Sequence, residues 1–271
     1  MKIMEKRVGF IGAGNMASAL ISGMISSGFK PENIIASSPG KNHLDVLSNE
    51  FCVKTTNDNG LVFKESEVII FAVKPNVLKD VLEEYNNFAC EQKLLVSVAA
   101  GFKISDIEDI LSPKEKIIRA MPNTPVSIGS GVTAISLNKN TGTNDKQDAE
   151  DLFSCVGKVV HIQEKEMDLY TALIGSGPAY VFYLIESLLD ASNEITIDEE
   201  TKKNMISSMI AGSSKLALLS ENSPKKLREN VTSPGGVTQR AIEEFEKNDM
   251  KKIIIKAIEA AASKSKELGD K

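Results

Sequence analysis

A glycine-rich turn after the first apolar run limits what this chain can fold into more than any other feature. Residues 8–11 are apolar, and the next six read Gly-Ala-Gly-Asn-Met-Ala before a segment of helical period. Gly12 permits a tight turn, Gly14 removes a Cβ that would block a pyrophosphate, and Ala17 lets the helix pack on the strand. The helix N-terminus offers free N–H groups and partial positive charge to phosphates. This strand–turn–helix context predicts a dinucleotide site; a glycine turn without a nucleotide is the alternative.

The chain has two halves of different rhythm. Up to about residue 163, short β-branched runs alternate with segments of helical period, and beyond it the strand pattern fades. The predicted strands are 7–11, 33–37, 68–73, 94–98, 116–121, 131–136 and 158–162. The predicted helices of the second half are 165–193, 198–220, 234–247 and 249–268. Alternating apolar strands and helices are typical of a parallel sheet covered on both faces.

We therefore predict the α/β class. A Rossmann-type dinucleotide-binding domain is expected over residues 1–163, followed without a linker by an all-helical domain over residues 164–271. The helices of the second half carry apolar stripes, but so short a segment makes a thin core by itself. Burying those stripes against a second copy solves the problem, so we predict that this half mediates dimerisation.

Composition argues against several other classes of function. The net charge is −5 and no basic block occurs, which argues against a nucleic-acid partner. Three separated cysteines and two histidines lack the spacing of a zinc site, so we predict no metal and a reduced, cytoplasmic setting. The uncharged stretch 8–29 contains five Gly and four Ser, which does not fit a membrane span or a signal core.

The end of the second predicted strand indicates which dinucleotide binds. NAD-binding proteins usually place Asp or Glu there, whereas this strand runs into Ser37, Ser38 and then Lys41. Two hydroxyls and one cation suit a 2′-phosphate, so we predict NADP(H) as the preferred cofactor and NAD(H) as the second choice. A plain polar turn has the same composition and is the alternative.

Loops after other strands extend the predicted cofactor site, because ligands of open α/β sheets bind at the carboxyl ends of the strands. Ala72, Val73 and Lys74 follow an apolar strand and are expected near the ribose and phosphates; a solvated Lys74 is the alternative. The small residues of 98–101 leave room for a flat nicotinamide ring, and Asn123 is expected on its other side.

Five blocks of the sequence resemble pyrroline-5-carboxylate reductases, in the same order. They are residues 8–17 around the glycine turn, Phe-Ala-Val-Lys-Pro at 71–75, Arg-Ala-Met-Pro-Asn-Thr-Pro at 119–125, Gly-Ser-Gly-Pro-Ala-Tyr at 175–180 and Val-Thr-Ser-Pro-Gly-Gly at 231–236. The resemblance covers nearly the whole chain, and the last block is its most specific part. It implies a Rossmann-type domain and a helical domain intertwined with a partner subunit. It also implies reduction of L-1-pyrroline-5-carboxylate to L-proline, by dimers or by decamers built from dimers.

The resemblance adds residues to the cofactor site. Asn59 matches a family asparagine that contacts the cofactor, although Asn followed by Gly60 is also typical of a bare turn. The predicted cofactor contacts are Ile11, Gly12, Gly14, Asn15, Met16, Ala17, Ser37, Ser38, Asn59, Ala72, Val73, Lys74, Pro75, Val98, Ala99, Ala100, Asn123 and Asn230.

The turn at 233–236 is followed by a helical pattern and is expected to bind the substrate carboxylate, since glycine amides and a helix N-terminus attract anions. Helix capping alone is the alternative. Thr238 is expected to donate a hydrogen bond to the substrate nitrogen or to hold a water that does. Glu221 matches a family glutamate near that nitrogen, where a carboxylate favours an iminium; these two are the predicted catalytic residues. The predicted substrate contacts are Ser233, Gly235, Gly236, Val237, Thr171 and Ser176.

The predicted mechanism is direct hydride transfer to the imine carbon, with neither His43 nor His161 catalytic. The chain departs from the family at three places. Ile174 replaces a serine, Val237 replaces a small or hydroxyl residue, and 191–200 lacks a Gly-Leu-Pro character.

Two other functions stay open at this point. One is a related NADP-linked β-hydroxyacid dehydrogenase or imine reductase, which would rely on a lysine of the helical half such as Lys202, Lys203 or Lys215. The other is a catalytically silent paralogue that binds NADP(H) and regulates a partner.

Overall fold

The computed structural model describes residues 6–88, 93–112 and 114–269, so Cys90 lies outside the described residues. Within these ranges, eight strands form one sheet: β1 Val8–Ile11, β2 Ile34–Ser37, β3 Lys54–Thr56, β4 Val68–Phe71, β5 Leu94–Ser97, β6 Lys116–Met121, β7 Gly131–Leu137 and β8 Gly157–His161. The helices up to β8 are α1 Asn15–Ser26, α2 Lys41–Phe51, α3 Asn59–Glu65, α4 Pro75–Asn86, α5 Ile104–Ile110 and α6 Thr143–Ser154. The later helices are α7 Met167–Tyr170, α8 Gly177–Asp190, α9 Glu199–Leu219, α10 Pro224–Asn230, α11 Val237–Lys247 and α12 Met250–Gly269.

The strands are ordered β3-β2-β1-β4-β5-β6-β7-β8, and every neighbouring pair is parallel except β6 and β7. The expectation of an all-parallel sheet is therefore wrong at this one pair. The physical reason is the connection: only residues 122–130 join the two strands, and a parallel crossover needs about a dozen residues or more. The chain reverses its order between β1 and β4, which places a crevice at the carboxyl ends of these strands.

Two short elements were not predicted. β3 consists of the polar triplet Lys-Thr-Thr and pairs with β2 at one edge of the sheet. α10 lies between the predicted helices 198–220 and 234–247, where no element was predicted, yet its start is well specified. The Ser223 hydroxyl accepts a hydrogen bond from the Lys226 amide and Pro224 occupies the first turn, which is a common N-terminal signature.

The apolar core lies on both faces of the sheet. Because side chains alternate along a strand, Val8 and Phe10 of β1 enter one cluster and Ile11 enters the other. Residues of α1, α2 and α6 complete the first cluster, and residues of α3, α4 and α5 complete the second. The α/β half of the prediction is confirmed by this arrangement.

The chain forms two compact units, residues 1–178 with 260–271 and residues 179–259. Among the described residues, none beyond Ala172 is a buried apolar residue. Large apolar side chains of the second unit are instead exposed, for example Phe182 at 61%. The stretch Glu164–Asp190 has the length and composition of a membrane span. Its most apolar 18 residues have a mean hydropathy of 1.4, and 6% of them are buried. This is weak evidence for a membrane, because a helix that packs on a partner subunit is apolar in the same way.

Candidate functional site

The glycine turn between β1 and α1 has the geometry of a pyrophosphate cradle. Gly12 has φ of +102°, and a Cβ there would lie 2.6 Å from the Ala72 carbonyl oxygen, so only glycine fits. A Cβ on Gly14 would meet nothing within 4 Å. Gly14 is the N-cap of α1, no side chain among the described residues caps it, and the first intrahelical bond runs from the Ser18 amide. The amides of Asn15 and Met16 precede this bond, and the space beside the Gly14 Cα is open, which fits a phosphate group.

Neighbouring strand ends lie beside this turn. The Ala72 amide donates to the Ile11 carbonyl at 2.8 Å, and the Val98 amide donates to the Phe71 carbonyl at 3.2 Å. A Cβ on Gly12 would also approach Val73 to 3.0 Å. The structure thus brings together the predicted contacts that follow β1, β4 and β5.

The exposure of these predicted cofactor contacts varies. Asn15 and Lys74 are exposed; Gly12, Gly14, Met16, Ala72, Val73, Pro75, Val98 and Ala100 are half-buried; Ile11, Ala17 and Ala99 are buried. The buried residues can contact a cofactor only through backbone atoms; otherwise they can only support an exposed neighbour.

Ser37 is fully buried, unlike the other residues expected near the 2′-phosphate. Its hydroxyl donates to Asn59 Oδ1 at 2.7 Å, and Asn59 Nδ2 donates to Glu84 Oε2 at 2.7 Å. Ser38 is half-buried and Lys41 is exposed at the start of α2. Of the residues predicted at the 2′-phosphate, Ser38 and Lys41 therefore have solvent-accessible side chains, while the Ser37 hydroxyl is engaged by Asn59 at the end of β2.

Asn123 has a supporting role that sequence reasoning did not find. Its Oδ1 accepts from the Val132 amide at 2.8 Å, and its Nδ2 donates to the Ile174 carbonyl at 3.2 Å. The side chain therefore ties β7 to the π-helical turn Thr171–Gly175. Ile174 is one of the departures from the family pattern, and its backbone carbonyl accepts the Asn123 hydrogen bond.

The π-helical turn contains Thr171 and is followed directly by Ser176, and these two are the predicted substrate contacts of the first unit. The Thr171 hydroxyl donates to the Met167 carbonyl at 2.7 Å, and the Ser176 amide donates to the Thr171 carbonyl at 2.8 Å. Ser176 is exposed. Single π turns are frequent at functional sites. Nearby, burial raises the pKa of Tyr170 to about 12, so this phenol stays neutral at ordinary pH.

The turn before α11 differs from its expected form. Gly235 has φ of +70°, and its amide donates to Gln239 Oε1 at 2.7 Å. The Gly236 amide donates to the Ser233 carbonyl at 3.0 Å. The two glycine amides are therefore engaged, contrary to the prediction that they are exposed to an anion, because the turn closes on itself.

The first turn of α11 offers other donors. Its first intrahelical bond runs from the Arg240 amide to the Gly236 carbonyl, so the amides of Val237 and Thr238 precede it. Val237 is 90% exposed and Thr238 is exposed. Glu221, between α9 and α10, and Asn230, at the end of α10, are exposed in the same unit.

A buried ion-pair cluster was missed entirely. Arg119 of β6 is 1% exposed, and its Nη1 lies 3.2 Å from Glu164 Oε1. Its Nη2 lies 3.8 Å from Asp168 Oδ1, which accepts a hydrogen bond from the Ser265 hydroxyl at 2.7 Å. The only signal was an arginine inside an apolar strand. Within the described ranges, no group of three His, Cys, Asp or Glu side chains can hold a metal.

An open sheet with a free glycine turn at its switch point defines a dinucleotide-binding protein, and two family models make the class narrower. "NADP oxidoreductase coenzyme F420-dependent" matches residues 7–101. "Pyrroline-5-carboxylate reductase dimerisation" matches residues 164–268. The chain is thus an oxidoreductase whose helical part is a dimerisation domain.

The chain belongs to the pyrroline-5-carboxylate reductase family, as the resemblance predicted. It is 36% identical over 268 residues to the enzyme of Methanosarcina acetivorans, covering 98% of this chain and 99% of that one. It is 37% identical over 264 residues to the enzyme of Arabidopsis thaliana, covering 97% and 95%.

Solved structures confirm the predicted fold class. The pyrroline carboxylate reductase of Plasmodium falciparum, with NADP bound, matches with a TM-score of 0.89 and 34% identity, covering 99% of this chain and 100% of that one. The reductase of Coxiella burnetii matches with a TM-score of 0.86 and 35% identity, covering 98% and 99%. A 3-hydroxyisobutyrate dehydrogenase of Mycobacterium tuberculosis, at 13% identity, shares the fold alone.

Proposed function

We propose that this chain reduces L-1-pyrroline-5-carboxylate to L-proline with NADPH, the last step of proline biosynthesis. The observation that carries the proposal is the extent of the likeness. It runs through the helical half as well as the cofactor-binding half, with 36% identity over 98% of the chain. A likeness limited to the glycine turn would support only nucleotide binding.

The residues that would hold the cofactor fit it. The open first turn of α1 would bind the pyrophosphate, and Ser38 with Lys41 would bind the 2′-phosphate. NADP(H) is therefore the proposed cofactor and NAD(H) the weaker one. When bound, the nicotinamide supplies a hydride to the imine carbon. Ala99 and Ala100 would form a flat wall for its ring.

The second unit would handle the substrate. The first-turn amides of Val237 and Thr238 would bind the carboxylate, with the positive end of α11 adding to the attraction. The Thr238 hydroxyl would hydrogen-bond the ring nitrogen, and Glu221 would favour its protonated form. Ser233, Thr171 and Ser176 complete the proposed contacts, and Asn230 the proposed cofactor set.

Catalysis on this scheme is mainly orientation and electrostatics. His43 is exposed on α2, and His161 pairs with Glu150 on the surface. Both histidines are therefore proposed to be non-catalytic. Of the three lysines that a β-hydroxyacid dehydrogenase could use, Lys202 is buried and paired with Glu199 at 2.9 Å, which argues for a structural role, whereas Lys203 and Lys215 are exposed.

The assembly is homo-oligomeric through the helical domain. We extend this to a homodimer, or a homodecamer built from dimers, in the cytoplasm, with domains at 1–163 and 164–271 and no nucleic-acid or membrane partner. Exposed apolar side chains in the second unit support the dimer.

The test follows NADPH absorbance with purified protein and pyrroline-5-carboxylate, and repeats it with NADH. Rapid substrate-dependent oxidation, faster with NADPH, is expected. NADPH binding without turnover would overturn the proposal and identify a silent paralogue. Turnover of a β-hydroxyacid with NADP⁺ instead would identify the related dehydrogenase.

A further inference from the structure

The loop between β5 and α5 is held from outside by the last turn of α12. Gly101 in this loop has φ of +79°, and a Cβ there would lie 2.9 Å from the Gly269 backbone nitrogen. A Cβ on Gly269 would in turn lie 2.1 Å from the Gly101 carbonyl oxygen. The two backbones touch with no room for a side chain on either. Because the same loop contains Ala99 and Ala100, this contact backs the proposed nicotinamide wall.

One buried hydroxyl fastens α12 close to this contact. Ser265 is 5% exposed and is the only buried residue of α12 in the described structure. Its hydroxyl donates to Asp168 Oδ1 at 2.7 Å, across 97 residues of sequence. The end of α12 is therefore fixed by a specific polar contact, and apolar packing is not its only support.

The same cluster fixes the far end of the loop. Arg119 lies 3.8 Å from Asp168 and 3.2 Å from Glu164. Glu164 Oε1 also accepts from the Ile104 amide at 2.7 Å, and Ile104 begins α5 directly after the loop. The Arg119 guanidinium thus lies beside two carboxylates. Glu164 binds the amide at the end of the loop, and Asp168 binds α12, whose last turn contacts Gly101.

Stability alone does not explain this arrangement. Nε and Nη2 of Arg119 have no hydrogen-bond partner among the described residues. Burying a charge with incomplete pairing is costly, and an apolar residue of similar volume is often as stable or more so. The neighbours Ile117 and Ile118 on β6 are fully buried and apolar. A buried arginine that tolerates this cost indicates that the positions of its two carboxylates matter.

We propose that the cluster of Arg119, Glu164, Asp168 and Ser265 positions the cofactor, with Arg119 at its centre. Through Glu164 and Asp168 it sets the loop at residues 98–103 and the end of α12, so that Ala99 and Ala100 receive the nicotinamide ring. The inference rests on the proposed function, because it takes that loop as the nicotinamide wall. It also makes the cofactor site depend on residues at the far end of the helical sequence.

The test uses Ser265 rather than Arg119, whose removal from the core endangers folding. Ser265→Ala deletes the hydroxyl that binds Asp168, Ser265→Thr keeps it, and Ser263→Ala makes the same chemical change at an exposed position of α12. Gly269→Ala adds a methyl group against Gly101. Measurements are the dissociation constant of NADPH without substrate, KM and kcat with pyrroline-5-carboxylate, the thermal midpoint and the oligomeric mass.

Ser265→Ala is expected to raise the NADPH dissociation constant roughly three- to tenfold, the effect of losing the net contribution of one ordinary hydrogen bond. Gly269→Ala is expected to raise it at least as much. Ser265→Thr should stay within about twofold of the parent and Ser263→Ala should match it. The KM for pyrroline-5-carboxylate should change little in all four, and the oligomeric mass should be unchanged.

The inference is overturned if Ser265→Ala binds NADPH as tightly as Ser263→Ala. It is overturned equally if Ser265→Ala and Gly269→Ala lower only the thermal midpoint, which would mark the cluster as structural. Binding is measured without substrate, so it remains informative if the parent protein fails to oxidise NADPH with pyrroline-5-carboxylate. That failure would instead count against the proposed function.

Discussion

The two compact units bury their apolar side chains in opposite ways. In the first unit the sheet is covered on both faces, and side chains such as Phe63 and Leu20 are inaccessible to solvent. In the second unit Phe182, Tyr183 and Leu219 are exposed although their helices are regular. A sheet closes its own core, whereas a few helices with wide apolar faces need another surface. The difference shows that the second unit is built to be completed by another subunit.

The sharpest test of this contrast places a charge at an exposed apolar position of each unit. Phe182→Asp in α8 is expected to abolish the oligomer and lower activity more than about a hundredfold, since central aromatic residues dominate interfaces. Val46→Asp in α2, a position 43% exposed in the first unit, should leave both unchanged. Light scattering after gel filtration and the NADPH assay are the measurements.

The two results separate clearly. If Phe182→Asp remains oligomeric and active, the exposed face of the second unit is not the interface and the comparison fails. If Val46→Asp abolishes the oligomer and Phe182→Asp does not, the interface lies on the first unit instead.

A second test addresses the glycine turn of the first unit as the proposed cofactor site. Gly12→Ala is expected to weaken NADPH binding by roughly ten- to fiftyfold, because strain of about 1–3 kcal/mol arises at positive φ and the methyl group meets Ala72. Gly142→Ala, with φ of −85° and room for a methyl group, is the matched control. Calorimetric titration gives both affinities. Equal affinities would show that the turn is looser than its geometry indicates.

A third test concerns the choice of nucleotide, which also belongs to the first unit. Lys41→Ala should weaken NADPH binding about five- to tenfold by removing one charged contact with the 2′-phosphate, and leave NADH binding unchanged. Lys79→Ala, on the exposed face of α4, is the control for net charge. A loss shared by NADPH and NADH would mean that Lys41 acts elsewhere on the nucleotide.

The smallest expected effect concerns Tyr170, whose hydroxyl donates to the Val132 carbonyl at 3.0 Å. Burial raises its pKa from 10.0 to about 12, so the unfolded chain loses this proton first. The group therefore stabilises the fold below pH 10, and that contribution is lost as the pH rises from 10 toward 12. In chemical denaturation, Tyr170→Phe should show a shallower loss of stability across that range. Identical slopes would mean that the phenol does not titrate differently on folding.

Most of the fold could be predicted because its signals are local. Each of the seven predicted strands exists to within two residues, and the glycine turn was found from six consecutive residues. The antiparallel β6–β7 pair could not be predicted from strand pattern, because orientation follows from the length and path of the connection. β3 escaped notice because three polar residues carry no period.

Less of the candidate site could be predicted, since its details depend on contacts between distant segments. The burial of Ser37 follows from Asn59, and the occupied amide of Gly235 follows from Gln239. Arg119 acquires its partners from residues 45 to 49 positions later and, through Asp168, from α12. No motif contains such a set, so the sequence offered only the oddity of a charge in a buried strand.

The return of α12 to the first unit has a consequence for biosynthesis of the chain. Residues 260–269 belong to that unit, and they are translated after residues 1–178 of the same unit. The sheet can therefore form early during synthesis. The loop at residues 98–103, the proposed nicotinamide wall, gains its contact with α12 only after Ser265 and Gly269 have been translated. On this scheme a cofactor-competent crevice appears only in polypeptides whose dimerisation helices have already been made, which keeps unfinished chains from sequestering nucleotide.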